Sequence, residues 1–194
     1  PHGTRRVALI PRQREPIILF VGAIQRRKNV ARLVQAFEQV AAGWTLVLAG
    51  STGFGAEEVL QQIEASPRKQ DIRLLGYVSS EVLEDLYQRA SIFAFPSLDE
   101  GFGMPVIDAM ARGLAVLTSN MSALPEVAGE AAWLVDPVDT TAIAAGLHRL
   151  IEDQTLRERL AQQGLERTAG FTWERTVEET WKVYRELLGQ ELQD

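Results

Sequence analysis

The sequence predicts an α/β domain built on a doubly wound parallel sheet of about six strands, with extra helices at its C-terminal end. Three observations predict it. Short, continuous apolar runs recur between residues 17 and 135. Stretches with helical apolar spacing separate those runs, and three of the runs stop at a glycine, Gly22, Gly50 and Gly76. Strands that are apolar throughout are buried on both faces, which is the condition of a parallel sheet covered by helices. Right-handed crossovers wind such a sheet into a Rossmann-like form.

The elements follow in order. Ile17-Ile18-Leu19-Phe20-Val21 reads as the first strand, and Val30, Leu33, Val34 and Phe37 then recur at helical spacing. Thr45 to Ala49 is the second strand, Ala56 to Ala65 a helix, and Ile72 to Leu75 the third strand. Ser79 or Ser80 caps the next helix, with Glu81 in its first turn. Ser91 to Phe95 is the fourth strand, Val106 to Ala111 a helix, Ala115 to Thr118 the fifth strand and Ala132 to Val135 a short sixth. Three successive helices close the chain, over Asp139–Glu152, Thr155–Thr168 and Trp173–Leu188. In the last, Trp173, Val177, Trp181, Tyr184 and Leu188 form one stripe, which packs on the chain's own core or docks on another domain. Trp44, Trp133, Trp173 and Trp181 all read as core rather than as ligand-stacking residues.

Composition narrows the function. The 194 residues hold no cysteine, which excludes disulfides, zinc–thiolate sites and cysteine nucleophiles. His2 and His148 form no ligand cluster, so no metal site is expected. No apolar run approaches the ~20 residues of a membrane span, and no signal peptide opens the chain, so a cytoplasmic protein is expected. The net charge of −6 hides an asymmetry. Residues 1–32 carry eight basic side chains against Glu15, whereas the rest carries twelve against twenty-five acids. A basic pole on an acidic body suits a small anionic ligand or is a solvated leader; it does not suit nucleic acid.

In open α/β sheets ligands sit outside the carboxyl ends of the strands. Four of the five loops there contain glycine: Gly22; Gly50, Gly53 and Gly55; Gly76; Gly101 and Gly103. Neither a Gly-x-Gly-x-x-Gly turn nor a phosphate loop with Gly-Lys-Ser/Thr follows the first strand. Arg27 and Lys28 stand there instead, entering a helix, where cations oppose the helix dipole unless an anion such as a diphosphate binds them. After the fourth strand, Glu100 and Asp108 bracket Gly101-Phe102-Gly103-Met104-Pro105-Val106-Ile107. Paired carboxylates also occur in glycoside hydrolysis, but this loop setting and the basic pole favour a grip on sugar and ribose hydroxyls.

These residues resemble the C-terminal, donor-binding half of glycosyltransferase family 4 (group 1), enzymes of the GT-B fold. The resemblance runs through Phe20-Val21-Gly22 with Arg27-Lys28-Asn29, Leu48-Ala49-Gly50, Leu75-Gly76-Tyr77-Val78-Ser79 and Phe95-Pro96-Ser97-Leu98. It continues through Glu100-Gly101-Phe102-Gly103-Met104-Pro105, Ala109-Met110-Ala111-Arg112-Gly113, Leu124-Pro125-Glu126-Val127 and Phe171-Thr172-Trp173-Glu174. Arg-Lys-Asn is most similar to the mannosyltransferase-like subgroup. The resemblance implies retaining transfer of a hexosyl unit from a nucleotide-diphosphate sugar, GDP-mannose by subgroup, to a glycan or lipid-linked acceptor, without metal or other cofactor.

It also implies roles. Glu100, Arg27 and Lys28 form the catalytic group, with Glu100 on the donor sugar and Arg27 and Lys28 on the diphosphate. Gly101, Phe102, Gly103, Met104 and Pro105 form the loop whose amides hold sugar and phosphate. Asp108 takes the place of a ribose-binding glutamate, one methylene shorter, and Ala23 replaces an arginine common in relatives. Gly76, Tyr77 and Val78 meet the base with Leu83 packed behind, and Gly22 and Gly50 complete the donor-binding set. On this reading residues 1–16 link to an N-terminal acceptor-binding domain, 17–170 bind the donor, and 171–194 form a terminal helix that can dock on that domain. The fragment alone would transfer little sugar, and membrane contact would come only through the other domain. The alternative is a non-catalytic nucleotide-sugar sensor or scaffold, for which Asp108 and Ala23 speak.

Overall fold

The structure, a computed structural model, describes residues 14–189. Six parallel strands form one sheet: β1 (Glu15–Val21), β2 (Thr45–Ala49), β3 (Ile72–Gly76), β4 (Ala90–Phe95), β5 (Ala115–Ser119) and β6 (Ala132–Val135). Their spatial order is β3-β2-β1-β4-β5-β6. The first three strands therefore step one way from β1, and β4 returns to its other side. That reversal is the topological switch point, and it opens a crevice between the loops that follow β1 and β4.

The strands form where the apolar runs stand because both faces are covered. Phe20, Phe93 and Phe95 are wholly buried, with Phe20 and Phe95 stacked 5.6 Å apart and Phe93 and Phe95 5.9 Å apart. Each such ring is worth about 2–3 kcal/mol in removed apolar surface. Helices α1 (Val30–Phe37), α2 (Ala56–Ala65) and α6 (Thr140–Glu152) pack together, as α1 touches both others. Helix α4 (Met104–Ala111) packs on α7 (Gln154–Thr168) and is tied to α3 (Ser80–Arg89) through Arg112 and Glu84, 2.8 Å apart. Ser79 caps α3, Asp139 caps α6 and Asp153 caps α7, each through its side-chain oxygen.

Several arginines fasten helix ends. Arg68 donates to the carbonyls of Val40 and Trp44 beyond α1, and Arg157 to those of Leu150 and Ile151 in α6. Arg14 reaches furthest. Its two terminal nitrogens donate to the carbonyls of Tyr87 and Ala90 at the end of α3 and of Arg112 and Gly113 after α4, at 2.6–3.1 Å. Burial pulls its pKa below the ordinary arginine value, the cost of placing the charge there. Arg14 is therefore neither a solvated leader residue nor free for a ligand; Arg5, Arg6 and Arg12 lie outside the described residues. We expect Arg14→Ala to cost about 2 kcal/mol, lowering the melting temperature by about 4–8 °C. Arg14→Lys should not restore it, because an ammonium cannot span both helix ends; thermal denaturation followed by circular dichroism checks both.

Three expectations are corrected. Glu15 and Pro16 belong to β1, not to a linker, and Glu15 pairs with Ala90 of β4. A short helix, α5 (Leu124–Ala128), stands where none is predicted. Helix α8 (Trp173–Leu187) forms, but its stripe does not pack on this core: Trp173 is 80% and Trp181 60% exposed. Those two tryptophans are consequently not core, whereas Trp44 and Trp133 do pack against it.

Candidate active site

The site begins with backbone at the strand ends. Gly22 N–H donates to Ala49 O at 2.9 Å, and Gly50 N–H to Gly76 O at 2.8 Å, so β1, β2 and β3 stay laced beyond their last pairs. Gly76 then turns the chain in the left-handed region, φ 68°. After β1 the chain makes a single 3-10 turn, Arg26–Lys28, before α1. Arg27 and Lys28 thus precede α1 rather than occupying its first turn, which corrects the expectation that they oppose that helix's dipole. Asn29 separates the two elements at φ 60°, a conformation asparagine tolerates. Its side-chain amide donates to Pro96 O at 2.9 Å and Pro137 O at 2.6 Å, locking the loops after β1, β4 and β6 together.

The two cations expected at the diphosphate, Arg27 and Lys28, meet Glu100. Lys28 runs past the Phe95 ring, its Nζ 4.8 Å from the centroid, and donates to Glu100 Oε1 at 2.5 Å. Arg27 Nη1 stands 3.3 Å from Glu100 Oε2 and donates to Asp99 O at 3.0 Å. Ser97 Oγ lies 2.7 Å from Glu100 Oε1 and 3.0 Å from Arg27 O, able to donate its one proton to either. Lys28 and Glu100 are both buried, and Arg27 is half exposed. Below them the loop after β5 acts as a buttress: Glu100 N–H donates to Ser122 Oγ at 3.2 Å, and that hydroxyl reaches Glu100 O at 2.7 Å. Arg27 and Lys28 thus face the buried Glu100 carboxylate, with the Asp99 carboxylate 2.8 Å from Ser122 Oγ, and Gly103 opens α4 three residues further on. Gly103 sits at φ 102°, and a Cβ there would come within 2.6 Å of Leu124 Cδ2.

Asp108 is placed differently. It lies one turn into α4, half exposed, with Oδ1 3.2 Å from Arg112 Nη1, and Arg112 in turn pairs with Glu84. Burial and the Asp108 charge together push the Tyr87 phenol far above its ordinary range. Burial alone would lower the Arg112 pKa, but its carboxylate partners carry it upward. The two acids that bracket the glycine loop therefore belong to separate charge clusters. Of the segment expected to meet a base, Tyr77 stands 86% exposed, and Val78 and Leu83 pack half-buried against the core. Phe102 and Met104 are exposed, with the Phe102 ring edge-on to Phe171 at 6.0 Å. Sequence reading missed Ser97, Asp99 and Ser122, whose roles depend on loops folding together; Asn29 had the signal of an asparagine just ahead of a helix. Among the described residues no group of three or more His, Cys, Asp or Glu could hold a metal, and no helix is long and apolar enough to cross a membrane.

Sheet order and crevice define a Rossmann-like α/β domain. The family model described as glycosyl transferases group 1 matches residues 4–167, and the chain belongs to that family. The chain is 36% identical over 171 residues to O-antigen chain mannosyltransferase B of Escherichia coli, covering 86% of this chain and 45% of that protein. Among solved structures it is similar to sucrose-phosphate synthase from Thermosynechococcus elongatus, with TM-score 0.80 and 31% identity over 91% of this chain and 46% of that one. It is also similar to the C-terminal domain of a glycosyl transferase group 1 protein, LpcC, from Francisella tularensis, with TM-score 0.68 and 27% identity over 79% and 84% of the two chains. The fold is that of the C-terminal half of a GT-B glycosyltransferase, and the chain spans under half the length of the mannosyltransferase it matches.

Proposed function

We propose that this chain is the donor-binding domain of a retaining glycosyltransferase that takes a nucleotide-diphosphate sugar, GDP-mannose by its resemblance to the mannosyltransferase-like subgroup, and passes the hexosyl unit to a glycan or lipid-linked acceptor. One observation carries the reading: Arg27, Lys28 and Glu100 converge at the switch point. As the sugar leaves, negative charge grows on the diphosphate. On this reading Arg27, Lys28 and the amides that open α4 stabilise that charge as fixed donors, without a metal. Glu100, held by Ser97 and Lys28, faces the sugar hydroxyls. Asp108 is the ribose contact, and Gly76 to Val78 take the base, with Leu83 behind them. An N-terminal domain supplies the acceptor side, and the exposed α8 stripe docks on it, so this chain alone binds donor but transfers little sugar.

The test is calorimetric titration with GDP and UDP. We expect one of them to bind, and Arg27→Ala to weaken it by about 1–3 kcal/mol, the worth of a charge-assisted bond. Arg27 is half exposed, so the variant keeps its fold. Failure of both nucleotides to bind at about millimolar concentration would overturn the donor-site reading. A second reading, a non-catalytic nucleotide-sugar sensor, gains from the Asp108–Arg112 pair, which occupies the shorter acid. Transfer by the chain joined to an acceptor-binding domain decides between the two.

A further inference from the structure

Among the described residues, Asn29 and Ser122 are the two other than glycine that adopt positive φ, and both border the Glu100 cluster. Asparagine tolerates that region, whereas serine at φ 58° is strained and a glycine there would not be. Ser122 stands on a loop with little freedom. Asn120 N–H donates to Val135 O at 2.9 Å, and Met121 N–H to Ser119 Oγ at 3.0 Å. Two residues beyond Ser122, the wholly buried Leu124 opens α5 with its side chain against Gly103. The Ser122 hydroxyl meets three groups of the facing loop. It accepts from Glu100 N–H at 3.2 Å, and it lies 2.7 Å from Glu100 O and 2.8 Å from Asp99 Oδ1, able to donate its one proton to either.

One oxygen thus bridges both main-chain polar groups of Glu100. Peptide units are planar, so holding the unit on each side of Glu100 fixes its φ and ψ, and with them the direction of its Cα–Cβ bond. The carboxylate carried along that bond meets Lys28 and Ser97 through Oε1 and Arg27 through Oε2. The two cations are held from the other side of the crevice. Arg27 O accepts from Leu98 N–H at 2.8 Å, Asn29 locks the end of their turn to Pro96, and no hydrogen bond joins Ser122 to either cation. Backbone strain persists where the side chain it presents is put to use. We infer that Ser122 is a positioning residue for the donor sugar: it aims the Glu100 carboxylate at the sugar hydroxyls and leaves the diphosphate to Arg27 and Lys28. The inference deepens the donor-site reading and rests on it.

The experiment titrates the chain calorimetrically with GDP, UDP, GDP-mannose and UDP-glucose, beside thermal denaturation of each variant. The readout is the dissociation constant of the sugar nucleotide divided by that of the free nucleotide with the same base. Ser122→Gly removes the hydroxyl and relieves the backbone. It should raise the ratio about tenfold, the scale of one charge-assisted bond, and leave the free nucleotide within about twofold. Ser122→Thr keeps the hydroxyl but places a β-branched residue at positive φ. It should hold the parent's ratio while melting below Ser122→Gly. Sugar recognition and stability then move in opposite directions, which a merely structural hydroxyl does not produce. If Ser122→Thr does not fold, the Ser122→Gly ratio decides alone. A Ser122→Gly ratio within about twofold of the parent's, whether both ligands weaken alike or neither does, overturns the role of Ser122 and leaves the donor site standing. A parent that binds free nucleotide but neither sugar nucleotide overturns it too. Absence of all nucleotide binding by the parent sinks the donor site and this inference together.

Discussion

Lys28→Ala should destabilise the domain by about 3 kcal/mol and lower its melting temperature by about 6–12 °C. Lys28 Nζ and Glu100 Oε1 are 2.5 Å apart, with both side chains less than a tenth exposed. Removing the ammonium leaves a buried carboxylate with a half-exposed arginine 3.3 Å away and one hydroxyl. A buried charge stripped of its main partner costs far more than the pair itself contributes. The double variant Lys28→Met with Glu100→Leu should therefore be more stable than Lys28→Ala alone. Urea unfolding of the two variants measures the difference. If the double variant were the less stable, the pair would be a net source of stability and the uncompensated charge would not be the cause. Diphosphate binding should be lost in both variants, because the cation that would meet it is gone.

Gly50→Ala should cost about 3 kcal/mol or more, or prevent folding. A Cβ at residue 50 would stand 1.9 Å from Gly22 O and 2.5 Å from Gly22 C. Both are backbone atoms at the end of β1, so no rotamer change relieves the clash. The strand ends would have to part, breaking the Gly22 N–Ala49 O and Gly50 N–Gly76 O bonds and shifting the turn that carries Arg27 and Lys28. Gly101→Ala is the control, since its Cβ would meet nothing within 4 Å. We expect it to change stability by less than about 0.5 kcal/mol. Equal unfolding midpoints for the two variants would show that β1 and β2 have slack at their ends.

The sheet was legible because burial on both faces writes itself as unbroken apolar runs, as in Ile17–Val21 and Thr45–Ala49. Helix α5 was not, since Leu124-Pro125-Glu126-Val127-Ala128 is too short to show a period. The 3-10 turn at Arg26–Lys28 has no period either, so its cations read as a helical first turn. Within the site, the residue types were legible but their pairing was not. Lys28 and Glu100 stand 72 positions apart, and only the β1–β4 adjacency brings them together. Arginine on backbone carbonyls, as at Arg14, leaves no trace in a sequence, because its partners are main-chain atoms that every residue shares. The α8 stripe was plain as an amphipathic face, yet amphipathicity does not say what covers it.

The central claim is that the Arg27–Lys28–Glu100 cluster is the seat of a nucleotide-diphosphate sugar. A crystal structure of this chain soaked with GDP or UDP tests it most directly. The predicted result places diphosphate oxygens within hydrogen-bond distance of Lys28 Nζ and the Arg27 guanidinium, with the base over Gly76–Val78. A nucleotide seated elsewhere, with the Lys28–Glu100 pair closed beneath solvent, would contradict it.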